Sequence, residues 1–281
     1  MPAQEKRVVT LLTDFGIGIY AAAMKGVILQ GAPGVQLVDI SHNIAPQNVT
    51  EAAVVLSGVA PFYPQRTTHC AVVDPGVGTE RRIVLVAAGE HFFIAPDNGL
   101  LTLVLRKLSP EGAWSVENEE YFCKPVSATF HGRDIFAPVA AAVAAGESPE
   151  SFGPEIDPDD LEELDFPEPR VDANGIEGEV VFVDEFGNLV SNIESSGLQD
   201  FPDSDELEIH CAGHVLTRLA TTYGEVPPGE LVALTGSLGY LEVAVSRGSA
   251  AARLAAAEGE RVLVRRAGYR PWAASRGAVG D

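Results

Sequence analysis

Cysteine, lysine and long apolar segments are all scarce in this 281-residue sequence. The three cysteines, Cys70, Cys123 and Cys211, are far apart and odd in number, so neither a disulfide framework nor a Cys-x-x-Cys zinc site is indicated, and we expect buried free thiols. No segment approaches the ~20 apolar residues that a membrane-spanning helix needs, and the N-terminus is polar. These absences predict a cytoplasmic protein without a membrane partner.

Positive charge is scarce as well. The chain has 19 Lys and Arg against 40 Asp and Glu, which gives a formal net charge of −21. Nucleic-acid backbones are bound through clusters of basic side chains, so a nucleic-acid partner is not expected. The acidic residues concentrate in 147–168 and 199–208, which favours solvated faces and a linker over a binding patch.

Loops that bind phosphate groups are absent too. The chain contains no G-x-G-x-x-G and no G-x-x-x-x-G-K-[ST] motif, so no pyrophosphate or triphosphate site is predicted. No clustered His and Asp residues suggest the ligands of a metal ion. We therefore expect neither a cofactor nor a metal. As a ligand, a nucleoside without phosphates fits this sequence better than a nucleotide does.

The apolar pattern predicts an α/β fold. From Val8 to about Ala145, short β-branched runs alternate with alanine-rich amphipathic segments, which is typical of a mostly parallel sheet with crossover helices. The predicted strands are Val8–Leu12, Gln36–Asp39, Thr68–Val73, Ile83–Ala88 and Phe92–Ala95, and the predicted helices are Tyr20–Gln30, Val49–Ala60, Leu100–Leu108 and Ile135–Ala145. We assign residues 1–165 to this N-terminal α/β domain.

The composition and the apolar pattern change in the second part of the chain. Residues 146–174 are rich in Pro, Asp and Glu without periodicity and are predicted to hold the linker. Residues 175–281 show short alternating runs between Gly-rich turns, which predicts a smaller β-barrel or sandwich domain. The predicted strands are Gly178–Val183, Leu189–Ile193, Leu207–Cys211, Leu231–Thr235, Leu241–Val245 and Arg261–Arg265, with one helix at Ala250–Glu258.

Residues 72–82, VVDPGVGTERR, are the strongest candidate for a site. Two β-branched residues lead Asp74 into a rigid Pro-Gly loop that ends on Arg81 and Arg82. Gly76 and Gly78 permit positive φ and close approach of a ligand to the main chain. The alternative is a tight turn with a surface ion pair.

Two further motifs of the first domain carry chemistry. Asp14, in T-D-F-G, follows the first predicted strand, and open α/β sheets bind ligands at this position. Its carboxylate could accept hydrogen bonds from both hydroxyls of a ribose. The alternative is that Asp14 caps a helix. His131, in T-F-H-G-R-D, lies beside a glycine at an element junction, whereas His69 and His210 occupy strand patterns. For Arg133 and Asp134 the alternative to a role in the site is a structural one, capping the helix that follows and bracing the loop.

Two Gly-rich turns of the second domain could contact a base or an amino-acid group. The segment V-D-E-F-G-N at 183–188 presents an aromatic ring and an amide, and T-G-S-L-G-Y-L-E-V-A-V at 235–245 leads a turn into a strand. Alone, each would pass as an ordinary hairpin turn.

In this order, the motifs resemble the S-adenosylmethionine (SAM) hydrolases that form adenosine, relatives of the fluorinase and chlorinase enzymes. The resemblance covers nearly the whole chain: T-D-F-G, M-K-G at 24–26, D-I-S-H at 39–42, D-P-G-V-G-T-E-R-R, A-P-D-N-G-L-L at 95–101, T-F-H-G-R-D, D-x-F-G-N and G-S-x-G-x-L-E-V-A-V. It implies an N-terminal α/β domain, a C-terminal β-barrel, and a homotrimer whose active site lies between neighbouring subunits.

The resemblance also implies roles for individual residues. Asp74, Arg81 and His131 correspond to the set that governs the water nucleophile, with Arg81 preferred over Arg82 by its spacing from Asp74. Asp14 corresponds to the aspartate that binds ribose. The implied contacts to adenine and methionine, grouped in the second domain, are Asp184, Phe186, Asn188, Ser237, Glu242 and Val245.

The halogenating relatives are the first alternative. They carry a small hydroxyl residue in the halide pocket, where this chain has Val77 and Gly132, and they have other residues in place of Asp74 and His131. A desolvated halide needs hydrogen-bond donors and would be repelled by a nearby carboxylate, so hydrolysis by attack of water at ribose C5′ is expected instead. A sensor that binds SAM or adenosine without turnover is the second alternative.

Overall fold

The computed structural model describes residues 7–172, 175–199 and 207–266. The chain divides into two compact units, Met1–Phe166 and Pro167–Asp281. In the first unit the strands are β1 Val8–Thr13, β2 Gln36–Ser41, β3 Thr68–Val72, β4 Ile83–Ala88, β5 His91–Pro96, β6 Pro110–Ser115 and β7 Glu155–Ile156. Its helices are α1 Ile19–Gly31, α2 Val49–Val59, α3 Thr102–Lys107 and α4 Ala137–Ala145.

The seven strands described for the first unit form one mixed sheet in the order β2-β1-β3-β5-β4-β6-β7. Strands β2, β1, β3 and β5 are parallel neighbours, and β4, β6 and β7 continue the sheet in antiparallel fashion. The antiparallel half begins at a two-residue hairpin, because Gly89 and Glu90 both have positive φ, as a type I′ turn requires. The predicted parallel pairing therefore holds for the half of the sheet that carries the candidate site.

Helices cover both faces of this sheet. Because side chains alternate along a strand, Cys70 and Val72 of β3 join one apolar cluster with residues of α1 and α4, and Ala71 joins another with residues of α2 and α3. The predicted α/β fold of the first domain is confirmed.

Several predicted boundaries need correction. β6 was missed because Pro110 and Gly112 are poor strand formers. The helix predicted at Ile135–Ala145 begins instead as a π-helical turn at Gly132–Phe136, and the one predicted at Leu100–Leu108 is confined to α3. Within the segment predicted as a linker, β7 joins the sheet and the backbone of 160–164 bonds to Arg82, Asp97 and Thr102.

The second unit is a barrel-like sheet, so the predicted β-barrel is confirmed. Its described strands are β8 Arg170–Asp172, β9 Gly175–Val183, β10 Leu189–Glu194, β11 Leu207–Cys211, β12 His214–Leu216, β13 Leu219–Ala220, β14 Leu231–Thr235, β15 Tyr240–Val245 and β16 Arg261–Arg266. The strand order is β12-β11-β16-β9-β10-β15-β14-β13, with β8 paired to β9, around one apolar core.

Two short helices complete the described part of this unit, α5 Ser195–Leu198 and α6 Ala250–Leu254. The helix predicted at Ala250–Glu258 is shorter than expected because Ala255 adopts a left-handed conformation, with φ of 50°, and ends it. Most of the acidic segment 199–208 lies outside the described residues.

The three cysteines are free, and Cys70 and Cys211 are buried as predicted, whereas Cys123 is half-buried. Across the described ranges, every helix is too short or too polar to cross a membrane.

Candidate functional site

Asp14 and Asp74 lie at the same edge of the sheet. β1 and β3 are parallel neighbours with Thr13 opposite Val72, Asp14 directly follows β1, and Asp74 follows β3 after Val73. The carboxyl ends of parallel strands form the usual ligand-binding edge of an open α/β sheet. Two acidic side chains therefore border one candidate site.

Arg81 binds the carboxylate of Asp74 through both oxygens. Arg81 Nε donates to Oδ1 at 2.9 Å and to Oδ2 at 3.0 Å, and Arg81 Nη2 also donates to Oδ2. The pair is largely hidden from solvent, with 5% of the Asp74 side chain and 11% of the Arg81 side chain exposed. A charge-assisted bond of this kind is stronger than a surface ion pair, so the surface-turn alternative does not describe this loop.

The same guanidinium reaches His131. Arg81 Nη2 lies 3.0 Å from His131 Nδ1, and a guanidinium can only donate, so Nδ1 is the acceptor and the ring proton belongs on Nε2. Burial and the positive charge of Arg81 lower the pKa of His131, which outweighs the opposing effect of Asp74. The imidazole is thus neutral and presents an N–H donor on its far side.

Close packing joins the loop of Asp74 to the segment before His131. Gly78 has a φ of 79°, and a Cβ built on it would lie 2.5 Å from the carbonyl oxygen of Ala128. Asp134 braces the same segment by accepting from Ser127 N at 2.8 Å and from Arg133. Only glycine fits at Gly78, because both its backbone conformation and its contact exclude a side chain.

Arg82 has different partners from Arg81. Its Nε donates to Asp97 Oδ2 at 2.8 Å, and its Nη2 donates to the carbonyl oxygen of Asp160 at 2.5 Å. The structure brings Asp74, Arg81 and His131 together and leaves Arg82 to bind the segment around Asp160.

Asp14 is held on one side and open on the other. Its Oδ2 accepts from Gln47 N at 2.8 Å, and within the described residues no other group donates to its carboxylate. Phe15, the next residue, packs edge-on against Phe130, with ring centroids 5.9 Å apart. The two motifs that carry Asp14 and His131 are therefore in contact through their aromatic neighbours.

In the second unit, Asp184 organises the turn between β9 and β10. Its Oδ1 accepts from Phe186 N at 2.9 Å and Asn188 N at 2.8 Å, and its Oδ2 accepts from the Asn188 side chain at 2.8 Å. Gly187 takes a φ of 80° in this turn. The result is a fixed loop that leaves Phe186 77% exposed.

Glu242 is a buried carboxyl group close to that turn. Burial raises its pKa, and the negative charge of Asp184 adds to the increase, while the hydroxyl of Tyr223 donates to Oε2 at 2.7 Å and opposes it. A Cβ on Gly236 would overlap this carboxyl, so a side chain at that position would displace Glu242. Tyr223 was missed in the sequence because no local motif links it to Glu242.

Ser237 and Val245 differ in their surroundings. Ser237 is exposed in the turn between β14 and β15, whereas the Val245 side chain is buried in the apolar core of the barrel. Val245 can therefore offer a ligand its backbone but little of its side chain.

No group of three or more metal-ligating side chains is found in the described ranges. His210 and His214 have an H-x-x-x-H spacing but sit on a β-hairpin, where His210 pairs with Glu208 and His214 Nδ1 lies 3.0 Å from the carbonyl oxygen of Ala212.

An α/β unit with an Asp-Arg-His cluster at the carboxyl edge of its sheet, followed along the chain by a β-barrel unit, is typical of an enzyme that acts on a small molecule. Family models give the class its name: residues 9–153 match the SAM hydroxide adenosyltransferase N-terminal domain, and residues 178–263 match the C-terminal domain. The chain belongs to the SAM hydroxide adenosyltransferase family.

Individual relatives agree with this assignment. A protein from Salinispora tropica named (R)-S-adenosyl-L-methionine hydrolase is 39% identical over 91% of this chain and 97% of its own length, and one of the same name from Thermus thermophilus is 40% identical over 90% and 97%. A fluorinase from Actinoplanes is 28% identical over 71% and 76%. The crystal structure of an uncharacterised conserved protein from Thermotoga maritima superimposes with a TM-score of 0.85 at 35% identity, covering 92% of this chain and all of that one.

Proposed function

We propose that this protein hydrolyses SAM to adenosine and L-methionine by attack of one water molecule at ribose C5′. The observation that carries the proposal is the bridging of Asp74 and His131 by Arg81 at the sheet edge next to Asp14. Relatives named (R)-S-adenosyl-L-methionine hydrolase support it, and they favour the R epimer at sulfur as the substrate.

The chemistry makes few demands on the protein. The sulfonium group already makes C5′ electrophilic and leaves as neutral methionine, so no general acid is needed for the leaving group. The demanding step is to hold a nucleophilic oxygen in line with the C–S bond. Electrostatic activation of one water by a small polar cluster is sufficient for this task.

Each member of the cluster has a defined task in this mechanism. Asp74 accepts a hydrogen bond or proton from the water, using lone pairs that remain after Arg81 has bound. Arg81 orients Asp74 and stabilises developing hydroxide character. His131 donates from Nε2 to the water oxygen, since its Nδ1 is already engaged by Arg81.

The remaining residues bind substrate. Asp14 accepts the ribose hydroxyls, and the second domain, taken as residues 175–281, supplies the contacts to adenine and methionine: Asp184, Phe186, Asn188, Ser237, Glu242 and the backbone at Val245. We propose a cytoplasmic homotrimer in which the two parts of a site come from neighbouring subunits, as the family resemblance implies. No cofactor enters the reaction, and SAM is its substrate.

Halide transfer is disfavoured by the surroundings of Gly132. A Cβ on Gly132 would lie 3.1–3.3 Å from Phe15, Met24 and Phe130, which leaves little room for a hydroxyl-bearing side chain. The charge of Asp74 would also repel a desolvated anion.

Chromatography of each purified SAM epimer after incubation tests substrate, product and stereopreference together. Adenosine and L-methionine should form, faster from the R epimer, and heavy oxygen from labelled water should appear on adenosine. Label found elsewhere than on adenosine would rule out attack at C5′. Incubation with chloride or fluoride should give no halogenated nucleoside, and an intact ligand after long incubation would identify a sensor.

The role of Asp74 is tested by Asp74→Ala. Turnover should fall roughly a hundredfold or more, with a much smaller change in SAM binding, because the carboxylate acts on the water. The matched control Asp159→Asn, at an exposed position, should leave both unchanged. Equal losses of turnover and binding would make Asp74 a binding residue instead.

A further inference from the structure

The loop that carries Asp14 is held by the segment 42–47 at three points. His42 Nδ1 lies 2.8 Å from the hydroxyl of Thr13, the carbonyl oxygen of His42 accepts from Gly16 N at 2.6 Å, and Gln47 N donates to Asp14. Two of the three contacts come from His42 alone, one from its side chain and one from its backbone. The mechanism described above does not use this residue.

The hydrogen bond between Thr13 and His42 fixes both partners. Thr13 is fully buried at the end of β1, and its hydroxyl oxygen accepts from Phe15 N at 3.2 Å. Within the described ranges the hydroxyl donates its own proton to His42 Nδ1, which leaves the ring N–H on Nε2. The Thr13 hydroxyl thus links the His42 ring to the backbone on both sides of Asp14.

The other ring nitrogen of His42, Nε2, faces the ion pair of Asp39 and Lys25. It is 3.1 Å from Asp39 Oδ1, while Asp39 Oδ2 accepts from Lys25 Nζ of α1 at 2.6 Å. The His42 side chain is 9% exposed, against 43% for Asp39. A chain of polar contacts therefore runs from α1 through Asp39 and His42 to the end of β1.

We propose that His42 is a positioning residue for Asp14, and that it sets the affinity for the ribose diol through the Thr13 hydroxyl. The proposal rests on the proposed function, in which Asp14 binds ribose. Gln47 N fixes one Asp14 oxygen, and the His42 contacts fix the backbone on either side, so the carboxylate is aimed before ligand arrives. Such preorganisation increases affinity because less freedom is lost on binding.

Two substitutions distinguish the roles of the two ring nitrogens of His42. The side-chain amide of His42→Asn reaches the place of Nδ1 and can keep the bond to Thr13, while that of His42→Gln reaches toward the place of Nε2 and loses it. Thr13→Val removes only the hydroxyl and keeps the shape. His214→Gln is the matched control, since His214 is an exposed histidine of the second unit.

The readout is the ratio of the dissociation constants of 2′,3′-dideoxyadenosine and adenosine, measured by calorimetry. Thr13→Val and His42→Gln should weaken adenosine binding about fivefold and leave the dideoxy compound within about twofold, because one hydrogen bond of ordinary strength is lost. His42→Asn should retain most of the wild-type ratio, and the double variant Thr13→Val/His42→Gln should be no worse than either single variant. In hydrolysis, KM should rise more than kcat falls.

The outcomes are distinct. If both ligands weaken equally, or if His42→Asn is as impaired as His42→Gln, His42 has only a structural role and the inference is overturned. Unchanged adenosine affinity in Thr13→Val overturns it as well. A wild-type protein that binds adenosine but releases none from SAM contradicts the proposed function, while the affinity ratio still tests His42.

Discussion

One guanidinium group, that of Arg81, contacts both oxygens of Asp74 and Nδ1 of His131. It also lies over the ring of Phe136, 5.6 Å from the centroid. Arg81 therefore determines the orientation of the carboxylate and the tautomer of the imidazole at once. A lysine could supply the charge but neither the fork of donors nor the planar face.

Arg81→Lys should lower turnover about a hundredfold, because the fork that holds both Asp74 and His131 is lost while the positive charge remains. Arg82→Lys is the matched control and should lower turnover less than threefold, since Arg82 binds Asp97 and Asp160. Initial rates of adenosine release measure both. A larger loss of rate in Arg82→Lys would exchange the roles assigned to the two arginines.

Gly78→Ala should reduce both stability and turnover, because the new methyl group would strike the Ala128 carbonyl and displace the segment before His131. Gly229→Ala shares the positive φ but has open space around it, so it isolates the conformational cost, about 1 kcal/mol. Urea unfolding should give a larger loss for Gly78→Ala, and only this variant should lose turnover. Equal stability losses would mean that the contact with Ala128 is unimportant.

Binding of SAM should weaken toward acid pH as Glu242 becomes protonated. Burial and Asp184 raise the Glu242 pKa, so the loss begins at higher pH than for an ordinary glutamate, and SAM offers positive charge that the ionised form attracts. Tyr223→Phe removes a hydrogen bond that lowers this pKa and should shift the rise in KM to still higher pH. Measurement of KM across pH for the wild type, Tyr223→Phe and Glu242→Gln tests this prediction. Glu242→Gln should show no rise in KM toward acid pH.

The stability of the protein should decrease as the pH is lowered, because of His69. This residue is fully buried on β3, the strand between β1 and β5. Burial, with a contribution from His91, lowers the His69 pKa from 6.5 to about 3. The unfolded chain therefore binds more protons between these values, so the stabilisation is complete above pH 6.5 and is lost as pH falls. From pH 6.5 to 5 the loss from His69 is about 2 kcal/mol.

His69→Phe should make this dependence shallower, because phenylalanine binds no proton. The fold should be kept, since the new ring can still stack on Phe93. His214→Phe, at an exposed position, serves as the control and should follow the wild type. Urea unfolding at pH 7.5 and 5 measures the difference. Parallel curves for the wild type and His69→Phe would assign the acid sensitivity to other groups.

The elements that carry the site were predictable because their signals are local. β-branched runs followed by T-D-F-G and D-P-G-V-G placed Asp14 and Asp74 after strands, and parallel pairing brings the ends of such strands together. The antiparallel half of the sheet was less visible, since β6 combines proline and glycine with few β-branched residues. Its strand character depends on pairing with β4, which is a long-range effect.

Contacts between side chains distant in sequence were the least predictable. The bond between Thr13 and His42 joins two motifs that the sequence showed only as separate strings, and Tyr223 has no motif at all near Glu242. The choice between Arg81 and Arg82 depended on spacing alone, and three-dimensional contacts separate them. Local pattern identifies the residue types of a site, whereas its hydrogen-bond pairing requires the fold.

The adjacency of Arg81 and Arg82 limits how this loop can change in length. Deleting one residue between Asp74 and the arginines would bring Arg82 into the place of Arg81, and inserting one would move both away from their carboxylates, Asp74 and Asp97. The exposed Glu80 can accept other side chains, whereas the Thr79 hydroxyl donates to the carbonyl oxygen of Gly76 at 2.7 Å, and the number of residues cannot vary. The number of residues decides which arginine meets which carboxylate, so the length of this loop is fixed even at a position such as Glu80, where the side chain can vary.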